Sequence, residues 1–164
     1  MNFVFLSPHF PTHYVNFADR LKRMGVNVLG IAEAPYDTLS PYLKESLTEY
    51  YRVDSMENYD EMLRAVAYFT HKYGRIDRLE SFNEYWLELD ARLRTDFNIE
   101  GTKYPEVLES KRKYLMKDHF KKAGVPSARC HLVTTREEGE KFLEEVGFPR
   151  IRQTRYRRRG VCVL

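Results

Sequence analysis

The chain has 164 residues, of which 43% are hydrophobic, and a formal net charge of +3. This length suits one domain, or one domain and part of a second, and the apolar fraction is sufficient for a packed core. The positive charge comes from the six arginines that follow Pro149. Without them the chain is mildly acidic, which argues against a general affinity of the main body for nucleic acid.

Two further features bear on the location of the protein. Its only cysteines are Cys130 and Cys162, which do not make a disulfide framework, so a reducing cytoplasm is expected. The first residues lack a basic segment followed by an apolar run, and no apolar stretch approaches the length of a membrane span. We therefore expect no membrane partner.

The first two thirds of the chain alternate between short apolar runs and amphipathic segments. Apolar runs predict strands at residues 2–6, 26–31, 50–53 and 75–81. Helical spacing predicts helices at residues 16–24, 39–47, 57–73 and 84–97, with Gly25 and Gly74 after two of them. Such alternation is typical of an α/β domain with a parallel sheet and helices on both faces.

A second unit is predicted to begin near residue 110. It contains a helix at 111–123, a strand at 129–133 and a helix that starts at Thr135, with Glu138 in the capping-box position. Gly147 ends this helix, and Pro149 is expected to open another strand.

The last fifteen residues, 150–164, differ in composition from all that precedes them. One interpretation is a basic arm for nucleic acid, because arginine pairs with phosphate and Tyr156 could stack on a base. The other is a reading frame displaced by one base. Shifted codons permit VFVKPDTGVGAS after Pro149, which completes the strand that Pro149 begins. We expect the second, and we expect the tail to form no regular structure packed on the main sheet.

Residues 110–149 resemble the start of the A-subdomain of ATP-grasp ligases. The resemblance lies in the helix from Lys113 that ends Lys-Lys-Ala-Gly-Val-Pro, the segment 133–138, the segment 145–149, and the shifted string GFPVFVKPDTGVGAS. In that family a lysine at the start of this helix reaches the ATP phosphates, and Lys113 matches it. Arg112 departs from the pattern, because the family commonly has an acidic residue before this lysine.

Residues 1 to about 105 resemble the Rossmann-like domain that precedes ATP-grasp in these enzymes. That domain often holds the non-nucleotide substrate at the carboxyl ends of its strands, in agreement with the switch-point rule. The resemblance implies substrate contacts from side chains after the first and fourth strands: Ser7, His9, Glu80, Asn83 and Glu84.

Two of these side chains have other interpretations. Asn83 could equally be the N-cap of the next helix. His9 and His13 flank Pro11 as a potential metal pair, but no third ligand is evident nearby, so no metal site is predicted.

The expected organisation is therefore a pre-ATP-grasp domain at 1–108, an incomplete α+β ATP-grasp A-subdomain at 109–149 and an out-of-frame basic tail at 150–164. The resemblance implies a parent enzyme that uses ATP and Mg²⁺ to convert a small-molecule carboxylate into an acyl phosphate, which an amine or other nucleophile displaces. The chain lacks the second lysine, the Gly-rich loop and the Mg²⁺ carboxylates, so it is expected to be inactive and to bind no cofactor tightly. The alternatives are a free-standing α/β module for a small molecule and a nucleic-acid adaptor that uses the tail. The sequence does not specify the oligomeric state.

Overall fold

A four-stranded parallel sheet organises residues 1–107 in the computed structural model, which describes residues 1–147, 152–154 and 161–163. Its strands are β1 (Asn2–Leu6), β2 (Asn27–Ala32), β3 (Glu49–Arg52) and β4 (Arg78–Glu80), in the spatial order β3-β2-β1-β4. The connecting helices are α1 (Val15–Arg23), α2 (Pro41–Ser46) and α3 (Tyr59–Tyr73), and α4 (Leu87–Asp96) follows β4. The predicted α/β class with a parallel sheet is confirmed.

Apolar side chains cover both faces of this sheet because successive residues of a strand point to opposite sides. Phe3 and Phe5 of β1 belong to one buried cluster, together with side chains of α1 and α2. Val4 and Leu6 belong to the other cluster, with side chains of α3 and α4. The continuous apolar run of β1 is thus the pattern of a strand buried on both faces.

The long helix α3 follows its sequence pattern closely. Met62, Val66 and Phe69, which lie at helical spacing on one face, are fully buried. The Asn58 side chain caps the helix by accepting a hydrogen bond from the Asp60 N–H, and Gly74 ends it at φ +82°. That φ is favourable for glycine and costly for other residues.

Helix α1 forms where expected, but its largest apolar side chains do not face the sheet. Phe17 and Met24, which lie at helical spacing with Leu21, are 47% and 80% exposed. The residue that is fully buried is Ala18, in the cluster that contains Phe3 and Phe5. Two phenylalanines of β1 already fill that space, so a small side chain lets the helix approach.

Two regions differ from the predicted boundaries. The fourth strand is shorter than expected, and a 3-10 helix at Glu84–Trp86 precedes α4. A short helix, α5 (Val107–Lys111), was not predicted from the sequence.

The unit Leu108–Leu164 contains α6 (Lys113–Lys122), β5 (His131–Val133), α7 (Arg136–Val146), β6 (Arg152–Thr154) and β7 (Val161–Val163). The predicted capping box of Thr135 and Glu138 is present at the start of α7. Strands β6 and β7 make an antiparallel sheet with β5, in the order β5-β7-β6. The described residues of the tail therefore add no strand to the main sheet, and their two strands pair with β5 and with each other instead.

Three further expectations concern the strand after Pro149, the cysteines and membrane spans. Pro149, where the next strand was expected to open, lies outside the described residues, and the first residues described after it form β6. Cys130 is disulfide-bonded, whereas the sequence predicted no disulfide framework. Within the described ranges, no helix combines the length and apolar character required to cross a membrane.

Candidate functional site

The strand order places the carboxyl ends of β1 and β4 side by side. The two strands pair in parallel, with Phe5 opposite Glu80. From β1 the chain continues to β2 and β3 on one side, and then returns to β4 on the other side of β1. In open α/β sheets, ligands bind outside the strand ends at such a reversal. The two loops that leave these ends, residues 7–10 and 81–84, are called the switch-point edge below.

The loop after β1 has a constrained backbone. Ser7 is buried and has φ +51°, a left-handed conformation that is uncommon for residues other than glycine. Its N–H donates to the Ile31 carbonyl over 2.8 Å, and its carbonyl accepts from the Phe10 N–H over 3.2 Å. These bonds hold the loop against β2 and fix the position from which His9 extends.

His9 is half-buried, and its Nδ1 atom is buried without a hydrogen-bond partner among the described residues. Burial lowers the pKa of His9 below its ordinary value, and the nearby Glu33 carboxylate opposes this shift. The lowered pKa favours the neutral imidazole, and its buried Nδ1 is an unsatisfied polar atom directly beneath the edge.

The loop after β4 contains Asn83 and Glu84. The Asn83 side chain accepts a hydrogen bond from the Tyr85 N–H over 2.9 Å, so it caps the 3-10 helix that follows. The capping interpretation of Asn83 is thus correct for its side-chain oxygen. Glu84 is the first residue of that 3-10 helix and is exposed.

Between them and β4, Phe82 also adopts a left-handed conformation, with φ +54°. The residue is 45% exposed, and its ring stacks on that of Phe17 with ring centroids 5.2 Å apart. The Tyr14 hydroxyl donates to the Phe82 carbonyl over 2.5 Å. An exposed aromatic ring in a strained backbone is a costly arrangement, and such strain concentrates at functional sites.

Glu80 forms an ion pair that the sequence did not predict. Its carboxylate accepts from Nη2 of Arg94 over 2.5 Å, and the Arg94 side chain is only 4% exposed. Arg94 also donates to the Leu79 carbonyl over 2.9 Å and to the Thr102 carbonyl over 3.0 Å. Burial raises the pKa of Glu80, and the guanidinium opposes this shift. Glu80, the last residue of β4, therefore makes a structural contact directly before the loop 81–84.

Asp90 is a buried acid next to this edge. It is fully buried on α4, and its Oδ2 accepts from the Ser81 N–H over 3.1 Å and from the Ser81 hydroxyl over 2.6 Å. Its Oδ1 has no hydrogen-bond partner among the described residues. Burial raises the pKa of Asp90 to about 7, although the Ser81 hydrogen bonds and the Arg94 charge lower it.

Asp90 and Arg94 were missed because of their spacing. An aspartate and an arginine at positions i and i+4 of a helix are the usual pattern of an exposed ion pair. The available signal in the sequence was the apolar side chains of Ala91 and Leu93 between them. Both are fully buried in the structure and mark the inward side of α4. Only the sheet shows that Arg94 reaches β4 and that Asp90 reaches the loop after it.

Lys113 belongs to the other unit. It is the first residue of α6, is exposed, and follows Arg112 at the N-cap position. An exposed lysine beside the free N–H groups of a helix start is suited to a phosphate. Later in the same helix, Lys117 Nζ donates to the Ala128 carbonyl over 2.7 Å and is therefore occupied by a structural contact.

Among the described residues, no group of three or more histidine, cysteine, aspartate or glutamate side chains could hold a metal ion.

No protein-family model matches this chain. No curated protein matches its sequence significantly.

Several solved structures match its fold. Phosphoribosylglycinamide synthetase from Anaerococcus prevotii matches 99% of the chain at 17% identity with a TM-score of 0.68. N5-carboxyaminoimidazole synthetase from Staphylococcus aureus, solved with ADP, matches 99% of the chain at 18% identity with a TM-score of 0.68. The biotin carboxylase domain of Hydrogenobacter thermophilus 2-oxoglutarate carboxylase, solved with MgADP and bicarbonate, matches 93% of the chain at 18% identity with a TM-score of 0.68.

The chain spans 44%, 45% and 34% of the length of these three structures, respectively. All three are ATP-grasp ligases, and the match corresponds to their N-terminal portion. The chain thus has the fold of the N-terminal portion of ATP-grasp ligases, including the Rossmann-like domain that precedes the ATP-grasp domain.

Proposed function

We propose that this chain is the N-terminal portion of an ATP-grasp ligase, and that its switch-point edge binds the non-nucleotide substrate. The observation that carries the proposal is a fold match over 99% of this chain but only 44% of a ligase structure. The sequence features of residues 110–149 support it independently. Fold alone does not define chemistry, so the assignment depends on both.

At the edge, Ser7, His9, Asn83 and Glu84 are the proposed substrate contacts, with Glu80 behind them. His9 contributes the accessible part of its half-buried imidazole, and Phe82 contributes an exposed aromatic side chain. Because Glu80 is paired with Arg94, it adds little net charge to the edge. A small molecule that combines polar groups with an apolar portion suits this arrangement.

The proposed role of Lys113 is a contact with an ATP phosphate. In the longer protein, ATP with Mg²⁺ would supply the phosphoryl group that activates a carboxylate. The described residues provide this lysine and a helix start, which suit a single phosphate contact. Phosphoryl transfer depends on several such groups acting together, so we propose that the chain alone has no ligase activity.

We also propose the domain division 1–108, 109–149 and 150–164, with the last segment read out of frame. The nucleotide sequence tests this directly. Removing one base after the Pro149 codon should open a long frame that begins VFVKPDTGVGAS. A stop codon soon afterwards, or codons that cannot encode Lys-Pro-Asp there, would exclude it.

Binding tests the ligase assignment. Calorimetric titration with ATP–Mg²⁺ would compare this chain, the frame-restored protein and its Lys113→Ala form. We expect weak binding or none by the chain, tighter binding by the restored protein and weaker binding by its Lys113→Ala variant. A Lys117→Ala form of the restored protein is the matched control, because Lys117 is on the same helix but occupied by Ala128.

The outcomes separate the parts of the proposal. Equal affinity of the chain and the restored protein would refute the truncated-ligase assignment. Equal affinity of the restored protein and its Lys113→Ala form would refute only the role of Lys113.

A further inference from the structure

We propose that Asp90 is a positioning residue of the switch-point edge: through Ser81 it holds the loop that presents Phe82 and Asn83. The proposed function enters only in naming the ligand at this edge as a substrate. The arrangement itself is independent of any ligase activity.

Hydrogen bonds connect Asp90 to the loop without interruption. Its Oδ2 accepts both the N–H and the hydroxyl of Ser81. The Ser81 oxygen accepts in turn from the Asn83 N–H over 3.2 Å, and Asn83 caps the next turn through the Tyr85 N–H. A single buried carboxyl therefore determines the path of the chain from the end of β4 to the following helix.

This path includes the unfavourable conformation of Phe82. A phenylalanine at φ +54° persists only where neighbouring contacts fix it. Asp90 fixes the residue before it, and Tyr14 binds its carbonyl. As a result the Phe82 ring lies against Phe17 and, edge-on, against Phe5, with centroids 5.2 and 5.5 Å away.

The charge of Asp90 couples this loop to pH. The charged groups that face it are Arg94 on its own helix and Glu80 at the end of β4, which shift its pKa in opposite directions. Because burial raises the pKa of Asp90 to about 7, its ionisation falls near neutrality. Ionisation places a negative charge on a carboxyl group whose Oδ1 lacks a partner among the described residues, and the loop must adjust to it.

Trp86 provides a local probe. It is the only tryptophan in the chain and lies in the 3-10 helix that Asn83 caps. The fluorescence of Trp86 in the full chain would be followed from pH 5 to 9. Four proteins would be compared: the unmodified chain, Asp90→Asn, Ser81→Ala and Asp37→Asn. Asp37 is an exposed aspartate in the 3-10 helix Tyr36–Thr38, so it controls for the loss of a carboxylate elsewhere.

We expect the Trp86 emission of the unmodified chain and of Asp37→Asn to change with a midpoint near pH 7. Asp90→Asn should lose this transition, because the amide accepts the Ser81 hydrogen bonds but does not titrate in this range. A transition in Asp90→Asn at the same midpoint would overturn the proposal.

Amide hydrogen exchange tests the positioning directly. Removing the carboxyl in Asp90→Ala should accelerate exchange at Ser81 about tenfold, and Asp90→Asn should restore the slow rate, since one hydrogen bond is at stake. Ser81→Ala should accelerate exchange at Asn83 and serves as the test if Asp90→Ala does not fold. Unchanged exchange at Asn83 in Ser81→Ala would also overturn the proposal.

Discussion

The two units of this chain differ in how they bury apolar side chains. All the buried apolar residues of the described chain lie between Phe3 and Val107, and all of them except Ala91 and Val107 belong to two clusters on the two faces of the sheet. In residues 108–147 the only buried residue is Gly139. Because apolar burial is the main favourable contribution to folding, the first unit should determine the measured free energy of unfolding. The described part of the second unit should therefore contribute little to that free energy.

The largest expected difference concerns ion pairs. Arg94→Ala should lower the free energy of unfolding by about 3–5 kcal/mol. The change leaves the half-buried Glu80 carboxylate without its ion-pair partner, and two carbonyls without a hydrogen-bond donor. The matched change is Arg136→Ala, which removes an exposed pair with Glu140 and should cost at most about 0.5 kcal/mol. Urea denaturation of both variants measures this. Equal losses would contradict the comparison.

Core truncation should give the next largest difference. Leu29→Ala removes a fully buried side chain from the centre of the sheet and should cost about 3 kcal/mol. Leu143→Ala shortens a half-buried side chain on α7 and should cost less than about 1 kcal/mol. The measurement is the denaturant concentration at the unfolding midpoint of each variant, provided that the free energy of unfolding has the same dependence on denaturant in both. A large loss for Leu143→Ala would show that the second unit has a core of its own.

The free energy of unfolding of the first unit should depend on pH through Asp90. The folded-state pKa of Asp90 is raised from the ordinary 3.8 to about 7, so the folded state retains a proton that the unfolded state has lost. The resulting stability is fully present below pH 4 and disappears as pH rises through 7. Between pH 5 and pH 8 the unmodified chain should lose on the order of 2–3 kcal/mol relative to Asp90→Asn. Parallel pH profiles of the two proteins would argue against a buried, protonated Asp90.

Helix caps should show the smallest difference. Asn58→Ala removes the cap of α3 and should lower the free energy of the main unfolding transition by about 1 kcal/mol. Thr135→Ala removes the corresponding hydrogen bond from α7 and should leave that transition unchanged. Its effect should appear only as faster amide exchange in residues 136–146. A shift of the main transition in Thr135→Ala would show that the two units unfold together.

Local sequence patterns were sufficient where one interaction dominates. The apolar run of β1, the buried face of α3, the glycine after it and the capping box of α7 all follow from short-range rules. Each depends on side-chain periodicity or on hydrogen bonds between residues a few positions apart. Because parallel strands align their carboxyl ends, the loops after β1 and β4 also lie side by side, and their role as a site stays a prediction.

The tertiary structure decided what depends on partners distant in the sequence. Ala18 rather than Phe17 is buried on α1 because the phenylalanines of β1 occupy the space beneath the helix. Asp90 and Arg94 are buried because β4 and the following loop offer them partners at Ser81 and Glu80. A sequence shows which groups can form hydrogen bonds. Which of them lose water, and therefore shift in pKa and hold a loop in place, is decided only when the sheet brings them together.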